Sequence, residues 1–472
     1  MKYDIVIVGA GPCGYLTAYE LALKNKNLKI LLIDRGNSIT KRHCPVLEHK
    51  LNKCPNNGKD FKQCYPSCSI TCGFGGAGAY SDGKFNITTE FGGWLNNYVD
   101  DDELINLIKY VDDINLKYGA TPVVTNPDTK EVIEIEKRAM AVGVKLLRSK
   151  VRHLGTEENI KILTKIYNDL KDKIDFKFGT FVKDIIVKDD KINGVVLENN
   201  EEIYADYVVL GVGREGSKWL SSVFEKYNVP MSQNQVDIGV RVEVPNLVMD
   251  EINRTLYEAK FVYNTSNGSK VRTFCSNPGG HVVMENYEGV INVNGHSYSD
   301  SKLSSENTNF ALLVSHHFSE PFKKPNEYAT KVSSLANQIS CGSVIVQRYG
   351  DLLRGRRSNP DRIKEGFVKP TLKEAVPGDL AFALPYKTMQ SIIEMIQVLD
   401  KITPGIATEH TLLYGVEAKY YSAHPEIDTN LEVKQISNLY VGGDGAGLTR
   451  GLAQAGASGI YIARNILKKI EE

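Results

Sequence analysis

The feature that most constrains this chain is the order of patterns in its first thirty-six residues. A short β-branched run, Ile5 to Val8, leads directly into Gly9-Ala10-Gly11-Pro12-Cys13-Gly14, and a helical pattern follows. A second apolar run, Ile30 to Ile33, then ends at Asp34. In such a pattern the first glycine allows a tight turn, the second lets backbone approach a pyrophosphate, and the third lets helix and strand pack closely. The order predicts a dinucleotide-binding βαβ unit in which Asp34 binds the adenosine ribose; the alternative is a glycine turn without a ligand.

Length and charge limit the remaining classes. The chain has 472 residues, which predicts about two or three domains rather than one core. Lys and Arg together number 57, as do Asp and Glu, so the net charge of zero argues against a nucleic-acid or membrane partner. No apolar stretch has spanning length, and Asp4 interrupts any signal-peptide pattern. We expect a soluble, cytoplasmic protein.

The pattern along the chain predicts an α/β fold. Both chain ends form one Rossmann-like domain, and a β-rich α+β substrate domain is inserted between them. The Rossmann-like domain is predicted to comprise three stretches, residues 1–100 (with a Cys-rich loop at 44–72), 174–232 and 401–472. Residues 101–173 are predicted to be helical, and residues 233–400 to form the substrate domain. Within the substrate domain, runs between Asp237 and Asn294 predict strands, and about residues 307–338 predict helix.

The C-terminal stretch carries a second informative pattern. A strand, Leu439 to Val441, runs into Gly442-Gly443-Asp444-Gly445-Ala446-Gly447, and a helix rich in small residues begins near Leu452. This arrangement suits a flavin, because Asp444 can bind ribityl hydroxyls and the helix can aim its positive end at the pyrimidine ring. The alternative is an ordinary turn between strand and helix.

Two further glycine turns each allow two interpretations. Gly211 to Gly216 also fits G-x-G-x-x-G, as a second dinucleotide site or as a turn lying against the first cofactor. We favour the turn, because the preceding strand closes a meander and no acid-ended strand follows. Residues 75–84 suit the other side of a pyrophosphate and flavin, with Ser81, Asp82 and Lys84 offering hydroxyl, carboxylate and ammonium groups; the alternative is a flexible turn.

The chain resembles the FAD-dependent dehydrogenases of glutathione-reductase-like fold, a broad branch of the NAD(P)/FAD-dependent oxidoreductases. The stretches that carry the resemblance are GAGPCG (9–14), GGAGAYSDGK (75–84), VDIGVRVEVP (236–245), RTFCSNPGG (272–280), NGHSYSD (294–300), LLYGVEAKYYS (412–422) and GGDGAGLTRGLAQAGASG (442–459). The resemblance covers essentially the whole chain and implies FAD as the bound cofactor. The implied cofactor contacts are Gly9, Gly11, Pro12, Cys13, Gly14, Asp34, Arg35, Gly76, Ala77, Gly78, Ser81, Asp82, Gly83, Lys84, Val182, Gly211, Gly213, Gly443, Asp444, Arg450, Leu452, Ala453 and Ala455.

Five thiols crowd into the long loop before residue 75: Cys44, Cys54, Cys64, Cys68 and Cys72. Thiolates are ligands for zinc or an iron–sulfur cluster, although this spacing matches neither a zinc ribbon nor a ferredoxin. A redox-active dithiol and free thiols are the alternatives. One hypothesis is that electrons arrive through a redox centre here instead of from a bound nicotinamide.

Candidate proton donors lie in the stretches that carry the resemblance. We select Glu417, Tyr420 and His281, with His296 and His424 as further candidates. Flavin chemistry at carbon needs an acid nearby to handle the accompanying proton. Glu417 and Tyr420 share a face if their stretch is helical.

These observations predict an FAD-dependent oxidoreductase that moves two electrons between a reduced donor and an organic substrate, by C=C reduction or dehydrogenation. The expected partners are a small-molecule substrate and an electron-donor protein. The alternatives are an NAD(P)H-linked flavin dehydrogenase, a flavoprotein that modifies RNA, and a redox sensor without turnover. Zero net charge disfavours the RNA alternative.

Overall fold

A computed structural model describes residues 2–45, 48, 50, 67–81, 83–256, 258–287, 289–297 and 301–472. The chain divides into two compact units. Unit 1 comprises residues 1–125, 149–232 and 422–472, and unit 2 comprises residues 126–148 and 233–421. Among the helices in the described ranges, none is both long and apolar enough to cross a membrane.

The described residues form strands and helices in close alternation. The strands are β1 (Lys2–Val8), β2 (Ile30–Asp34), β3 (Lys84–Ile87), β4 (Lys145–Leu147), β5 (Lys150–His153), β6 (Asp175–Phe178), β7 (Val182–Lys188), β8 (Lys191–Leu197), β9 (Glu202–Leu210), β10 (Met231–Ser232), β11 (Val236–Pro245), β12 (Lys260–Asn264), β13 (Lys270–Asn277), β14 (His281–Tyr287), β15 (Val290–His296), β16 (Asn307–His316), β17 (Ile345–Arg348), β18 (Val376–Pro377), β19 (Leu412–Lys419), β20 (His424–Pro425) and β21 (Leu439–Val441). The helices are α1 (Pro12–Lys24), α2 (Asp101–Lys117), α3 (Lys130–Ala141), α4 (Thr156–Leu170), α5 (Ser217–Lys226), α6 (Asn246–Thr255), α7 (Pro325–Ile339), α8 (Tyr349–Leu353), α9 (Pro360–Glu365), α10 (Tyr386–Ile402) and α11 (Leu452–Glu471).

Unit 1 is built on a mainly parallel sheet. The strand order is β6-β2-β1-β9, and β21 runs parallel to the end of β9. The antiparallel strands β8 and β7 extend the sheet from the start of β9. β1 is buried on both faces, as parallel strands covered by helices are, which explains its unbroken run Ile5 to Val8. The predicted Rossmann-like domain made from both chain ends is confirmed.

Helices α1 and α11, from opposite ends of the chain, pack closely in unit 1. A Cβ atom on Gly459 would lie 2.1 Å from the carbonyl oxygen of Cys13, so only glycine fits there. The hydroxyl of Thr17 donates to the carbonyl of Gly459 at 3.0 Å and completes the contact. The N-terminal βαβ unit therefore depends on the last helix for its cover.

Unit 2 contains an eight-stranded sheet in the order β18-β17-β19-β11-β16-β13-β12-β4. A separate hairpin, β14–β15, belongs to the same unit. The central strand β11 places its valine and isoleucine side chains in an apolar core that also contains residues of α6 and α10. Its other face carries charged residues that are fully buried.

The segment at residues 101–173, which the sequence predicts to be mostly helical, also contains two short strands. Helices α2, α3 and α4 form, but Lys145–Leu147 and Lys150–His153 are strands. Gly143 (φ +76°) ends the turn after α3, and the apolar side chain of Leu146 then pairs with Phe261 across β4 and β12. The local hydrophobic pattern of residues 145–147 does not predict this strand pairing, because the partner strand lies more than a hundred residues away in the sequence.

The helix predicted over about residues 307–338 begins later than expected. Residues Asn307–His316 form β16, which lies between β11 and β13, and α7 starts at Pro325. The run Phe310 to Val314 is apolar throughout, and periodicity alone does not distinguish a buried strand from a buried helix segment.

The C-terminal boundary of the substrate domain also lies later than predicted. Residues 401–421 belong to unit 2, because β19 is paired between β11 and β17 inside the eight-stranded sheet. The sequence predicted the boundary at residue 400. Residues 126–148 belong to unit 2 as well, through α3 and β4.

The arginine-rich stretch of unit 2 is organised by one buried carboxylate. Asp351 is 1% exposed and accepts hydrogen bonds from Arg356 Nε and Ser358 Oγ at 2.8 Å and from Arg362 Nε at 3.1 Å. Burial opposes its ionisation, but the hydrogen bonds from Ser358, Arg356 and Arg362 outweigh this and lower the pKa of Asp351. The segment is therefore an ordered component of unit 2.

We expect Asp351→Ala to lower the free energy of unfolding by about 2–3 kcal/mol, because two guanidinium groups and a hydroxyl lose a shared buried acceptor. Glu134→Ala, at an exposed ion pair with Lys137, is the matched control and should cost less than about 0.5 kcal/mol. Urea unfolding measures both. Since the pKa of Asp351 is lowered, its contribution should be present at neutral pH and disappear as the pH falls below about 4. Equal costs for the two variants would contradict this account.

Candidate functional site

Four parallel strands of unit 1 end at the same level of the sheet. The last shared rung joins one residue from each strand: Ile33, Val8, Leu210 and Val441. The residues that follow them are Asp34, Gly9, Gly211 and Gly442. Backbone hydrogen bonds continue the rung, because the Gly211 amide donates to Val8 at 2.9 Å and the Gly442 amide donates to Leu210 at 3.2 Å. The carboxyl edge of this sheet is therefore lined by backbone and one carboxylate.

The three glycines of the first turn have different surroundings. A Cβ atom on Gly14 would lie 1.8 Å from the Gly9 carbonyl oxygen, and one on Gly9 (φ +101°) would lie 2.7 Å from the Gly211 oxygen. The Cβ position of Gly11 is open, because its nearest neighbour is the Cα atom of Gly76 at 4.0 Å. Gly11 is the N-cap of α1, and no described side chain caps this helix. The first turn of α1 thus offers backbone N–H groups and the positive end of the helix dipole.

Asp34 connects two backbone loops. Its Oδ1 accepts from the amides of Gly36 at 2.7 Å and Gly73 at 2.8 Å, and its Oδ2 accepts from the amide of Ala10 at 2.7 Å. A carboxylate has about four acceptor positions, so a further donor such as a ribose hydroxyl can still bind. The neighbouring Arg35 forms an ion pair with Glu215 at 2.9 Å.

The C-terminal Gly-Asp turn presents a second fixed carboxylate. Asp444 Oδ1 accepts from the hydroxyl of Thr449 at 2.7 Å and from the amide of Gly451 at 3.4 Å. Burial raises the pKa of Asp444, while the Thr449 hydrogen bond and the charges of Arg214 and Arg450 act in the opposite direction. Arg214 is exposed and was not among the predicted contacts. The turn holds an oriented acceptor for hydroxyl groups.

The second glycine motif packs on the first motif and on the Gly-Asp turn. Gly211 lies against Gly9 and Gly14, and the amide of Gly445 donates to Val212 at 3.0 Å. A Cβ atom on Gly445 would lie 2.5 Å from the Gly213 oxygen, whereas a Cβ on Gly213 would meet nothing within 4 Å. This packing supports the turn lying against the first site and not a separate dinucleotide site.

The predicted loop at residues 75–84 is joined to the glycine turn. Residues Gly76–Tyr80 form a 3-10 helix, and the Gly75 amide donates to the Ala10 carbonyl at 2.8 Å. The Gly78 carbonyl accepts from Ser81 Oγ at 2.8 Å and Asn159 Nδ2 at 2.7 Å. Ala77 is exposed, and Gly83 and Lys84 lead into β3. Asp82 lies outside the described residues.

The other predicted contacts occupy helix starts and one strand start. Leu452, Ala453 and Ala455 form the first turn of α11, whose N-cap, Gly451, has open space around its Cβ position. Val182 begins β7 and is buried, and Pro12 is the first residue of α1.

Cys13 has a packing role. Its side chain is 2% exposed, and its Sγ lies 2.7 Å from where a Cβ atom on Gly442 would be. Burial raises the pKa of the Cys13 thiol to about 11. The side chain of Cys13 therefore packs between the glycine turns at Gly211 and Gly442.

The cysteine-rich loop is only partly described. Cys44 and Cys72 are buried and Cys68 is half-buried, while Cys54 and Cys64 lie outside the described residues. The portion of the chain that the structure describes contains no group of three or more His, Cys, Asp or Glu arranged to hold a metal ion. Arg35 Nε donates to Cys72 Sγ at 3.2 Å, and burial raises the pKa of this thiol. Binding of zinc or an iron–sulfur cluster by thiols of this loop stays a prediction.

We expect iodoacetamide at about pH 8 to label Cys275 and Cys341 in the native protein, because both are exposed. Cys13 should stay unlabelled, because it is buried and its pKa is raised to about 11. Peptide mass spectrometry of native and guanidinium-unfolded samples measures the difference, and the unfolded sample is the control in which all three react. Native labelling of Cys13 at the rate of Cys341 would contradict the packing described above.

The predicted proton donor Glu417 is bound in an ion pair. It lies in the strand β19, so the condition under which it would share a helical face with Tyr420 is not met. Its two oxygens accept from Nε and Nη2 of Arg241, both at 2.8 Å, and its side chain is 1% exposed. Because the carboxylate is neutralised and excluded from solvent, the geometry does not support proton donation by Glu417.

The other predicted donors also have structural partners. Tyr420 stacks on Tyr287 with ring centroids 4.2 Å apart. His281 Nε2 lies 2.9 Å from the Leu303 carbonyl, and His281 pairs with His296 across the β14–β15 hairpin. His424 is in unit 1, and burial lowers its pKa. Tyr420, His281 and His296 belong to unit 2, whereas His424 belongs to unit 1.

Unit 2 also has a buried polar face that was not predicted from the sequence. Asp237, Arg241 and Glu243 alternate along β11 and are all fully buried. Arg272 on β13 pairs with Asp237, as its Nη2 lies 2.6 Å from the carboxylate. The sequence did contain a signal for this face. Charged residues at alternate positions of a strand point to the same side of the sheet, and if the strand is buried they need charged or hydrogen-bonding partners there.

Three family models match parts of the chain. Residues 235–420 match the family model "FAD-dependent protein, C-terminal domain-like", residues 134–248 match "Pyridine nucleotide-disulphide oxidoreductase", and residues 369–472 match "Glucose inhibited division protein A". The chain is an FAD-dependent oxidoreductase. This confirms the cofactor that the resemblance implied.

This oxidoreductase is also similar to individual proteins. An "Uncharacterized protein" of Clostridium beijerinckii is 28% identical to it, over all of this chain and 82% of that protein. Among solved structures, glycine oxidase from Bacillus cereus is 11% identical (TM-score 0.38, covering 99% of this chain and 95% of that one). FrdA of E. coli quinol fumarate reductase is 15% identical (TM-score 0.42, covering 100% and 71%), and L-proline dehydrogenase from P. horikoshii is 12% identical (TM-score 0.39, covering 99% and 94%).

Proposed function

We propose that unit 1 holds FAD at the carboxyl edge of its parallel sheet and moves two electrons between a reduced donor and an organic substrate. One observation carries the proposal: three glycines and Asp34 follow the same rung of four parallel strands, directly beside the uncapped start of α1. In open α/β sheets a ligand binds in the crevice at this edge, where backbone can approach a pyrophosphate.

Each segment of the edge has a role that its chemistry suits. The backbone of Gly9, Gly11 and Gly14 leaves room for phosphate oxygens at the start of α1, and the open position of Gly11 supports close approach. Asp34 accepts a ribose hydroxyl in its remaining direction. Val182, at the start of β7, contributes on the adenosine side.

The flavin half is assigned to the C-terminal turn and the loop at 76–84. Asp444 is oriented by Thr449 and accepts ribityl hydroxyls, with Arg450 nearby. The first turn of α11, which includes Leu452, is the positive end of the helix dipole, and it is directed at the flavin pyrimidine, where negative charge develops on reduction. Gly211, Gly213 and Gly443 provide surface without side chains.

The proposed reaction is a dehydrogenation or C=C reduction. Bound FAD supplies the two-electron chemistry, and the protein supplies position, charge and exclusion of water. The family matches support the oxidoreductase class, and the described residues supply no single proton donor among Glu417, Tyr420 and His281. The proton accompanying the transfer is therefore assigned to the substrate or to bound water.

A second candidate is an NAD(P)H-linked flavin dehydrogenase. The match of residues 134–248 to a pyridine-nucleotide oxidoreductase model favours it. The packing of Gly211 against Gly9 and Gly14 weighs against a nicotinamide dinucleotide at the second glycine motif.

Gly11→Ala is the sharpest test of the FAD site. Gly11 has a φ of −72°, which alanine adopts, and open space at its Cβ position, so we expect a folded protein with at least about 10-fold weaker FAD binding. Gly14→Ala is the contrasting variant, because its Cβ atom would overlap the Gly9 carbonyl and destabilise the fold itself. Fluorescence titration with FAD and thermal unfolding separate the two effects. A Gly11→Ala protein that binds FAD like the wild type would contradict the proposal.

Rapid-mixing absorbance with NADH or NADPH tests the choice between the two candidates. We expect neither nicotinamide to reduce the bound flavin at a turnover rate of about 1 s⁻¹ or faster. Photochemical reduction of the same sample is the control that shows the flavin to be reducible. Fast reduction by either nicotinamide would favour the NAD(P)H-linked candidate.

A further inference from the structure

Three stretches that carry the family resemblance meet on one face of the unit 2 sheet. Asp237, Gly239, Arg241 and Glu243 alternate along β11 on this face. Glu417 on β19 is opposite Gly239, and Arg272 on β13 is opposite Leu313, which is itself opposite Gly239. We call this set the polar face.

Two acidic groups of the polar face are already satisfied. Glu417 is bound by both sides of the Arg241 guanidinium, and Arg241 Nη1 also donates to Asn309 at 2.9 Å. Glu243 accepts from the hydroxyls of Tyr414 and Thr371, both at 2.5 Å. These side chains hold the sheet together through contacts with one another. The N–H groups of Arg241 that they engage are therefore not available to a ligand.

Arg272 differs from Arg241. Its Nη2 lies 2.6 Å from Asp237, and its guanidinium carbon lies 4.9 Å from the centre of the Phe274 ring. Its Nε is buried and has no hydrogen-bond partner among the residues that the structure describes. A buried N–H of a charged group without an acceptor is costly, which points to an acceptor that binds there.

The anchor of Arg272, Asp237, accepts from three different side chains. Asp237 is fully buried and accepts from Arg272, from the hydroxyl of Tyr421, and from Gln235 Nε2 at 2.9 Å. These contacts fix the direction of the guanidinium. The Arg272 side chain is 24% exposed as a whole, while its Nε is buried, so a ligand that binds Nε must displace the groups that cover it.

The charge around Arg272 favours an anion. Lys270 lies two residues earlier on the same face of β13, and Lys419 is opposite Asp237 on β19. With Arg241, Arg272, Lys270 and Lys419 against Asp237, Glu243 and Glu417, the cationic groups at this face outnumber the acidic groups by one.

We propose that Arg272, held by Asp237 and Tyr421, binds the carboxylate of the organic substrate. The inference rests on the proposed function and names its substrate class: small organic acids. A planar guanidinium with free N–H groups matches a carboxylate, whereas an ammonium group does not reproduce this geometry. The oxyanion chemistry is shared with inorganic phosphate, which the experiment separates.

Calorimetric titration of the FAD-loaded protein tests the proposal. The probes are acetate, succinate, benzoate and inorganic phosphate at one ionic strength, and the variants are Arg272→Gln, Arg272→Lys and the control Arg254→Gln. Arg254 is exposed and forms only a helical ion pair with Asp250. Relative to the wild type, we expect the best-bound carboxylate to bind at least about 10-fold more weakly to Arg272→Gln and at least about 3-fold more weakly to Arg272→Lys. Its affinity for Arg254→Gln should equal that for the wild type.

The outcomes separate this inference from the proposed function. A colourless protein that does not take up FAD overturns the proposed function. A yellow protein that binds no carboxylate, or binds it equally well as Arg272→Gln, overturns only the carboxylate site. Arginine-dependent binding that prefers phosphate to all three carboxylates also overturns it. If Arg272→Gln does not fold, Arg272→Lys decides, and unchanged carboxylate affinity in that variant overturns the proposal.

Discussion

The close contact between the Gly9 carbonyl and the Cα of Gly14 is the constraint on which unit 1 depends. It brings the start of α1 against the end of β1, and Gly211 from the neighbouring strand closes the same space. Because no side chain fits at these points, the carboxyl edge of the sheet is made of backbone. Backbone N–H groups and a helix dipole are what a pyrophosphate needs, so the packing that stabilises this edge also prepares it for a dinucleotide.

Unit 2 handles charge in a different way. Arg241 and Glu417 are fully buried, and they satisfy one another through two parallel hydrogen bonds. This ion pair joins the strands β11 and β19 and is not open to solvent. Arg272 is fixed by Asp237 but keeps an unsatisfied Nε. The same sheet face thus contains charges that are internally neutralised and one whose binding capacity is incomplete. Arg241 and Arg272 therefore differ in how completely the surrounding residues satisfy their N–H groups.

Most of unit 1 could be predicted from the sequence because its signals are local: strand, glycine turn, helix and acid follow one another without interruption. The run Phe310 to Val314 could not be assigned, since a buried strand and a buried helix share an apolar pattern. The partnership of Arg272 with Asp237 was also invisible. It depends on the register of β13, β16 and β11, which pairs residues distant in the chain. The ion pair of the predicted proton donor Glu417 was invisible for the same reason, because its partner Arg241 is 176 positions away.

The most direct test of the central claim is a crystal structure of the protein with FAD bound. We predict electron density for the pyrophosphate beside Gly11, with phosphate oxygens about 2.7–3.2 Å from backbone N–H groups in the first turn of α1. We also predict a ribose hydroxyl on Asp34. Density for the dinucleotide away from the carboxyl edge of the unit 1 sheet, or on unit 2 alone, would contradict the claim.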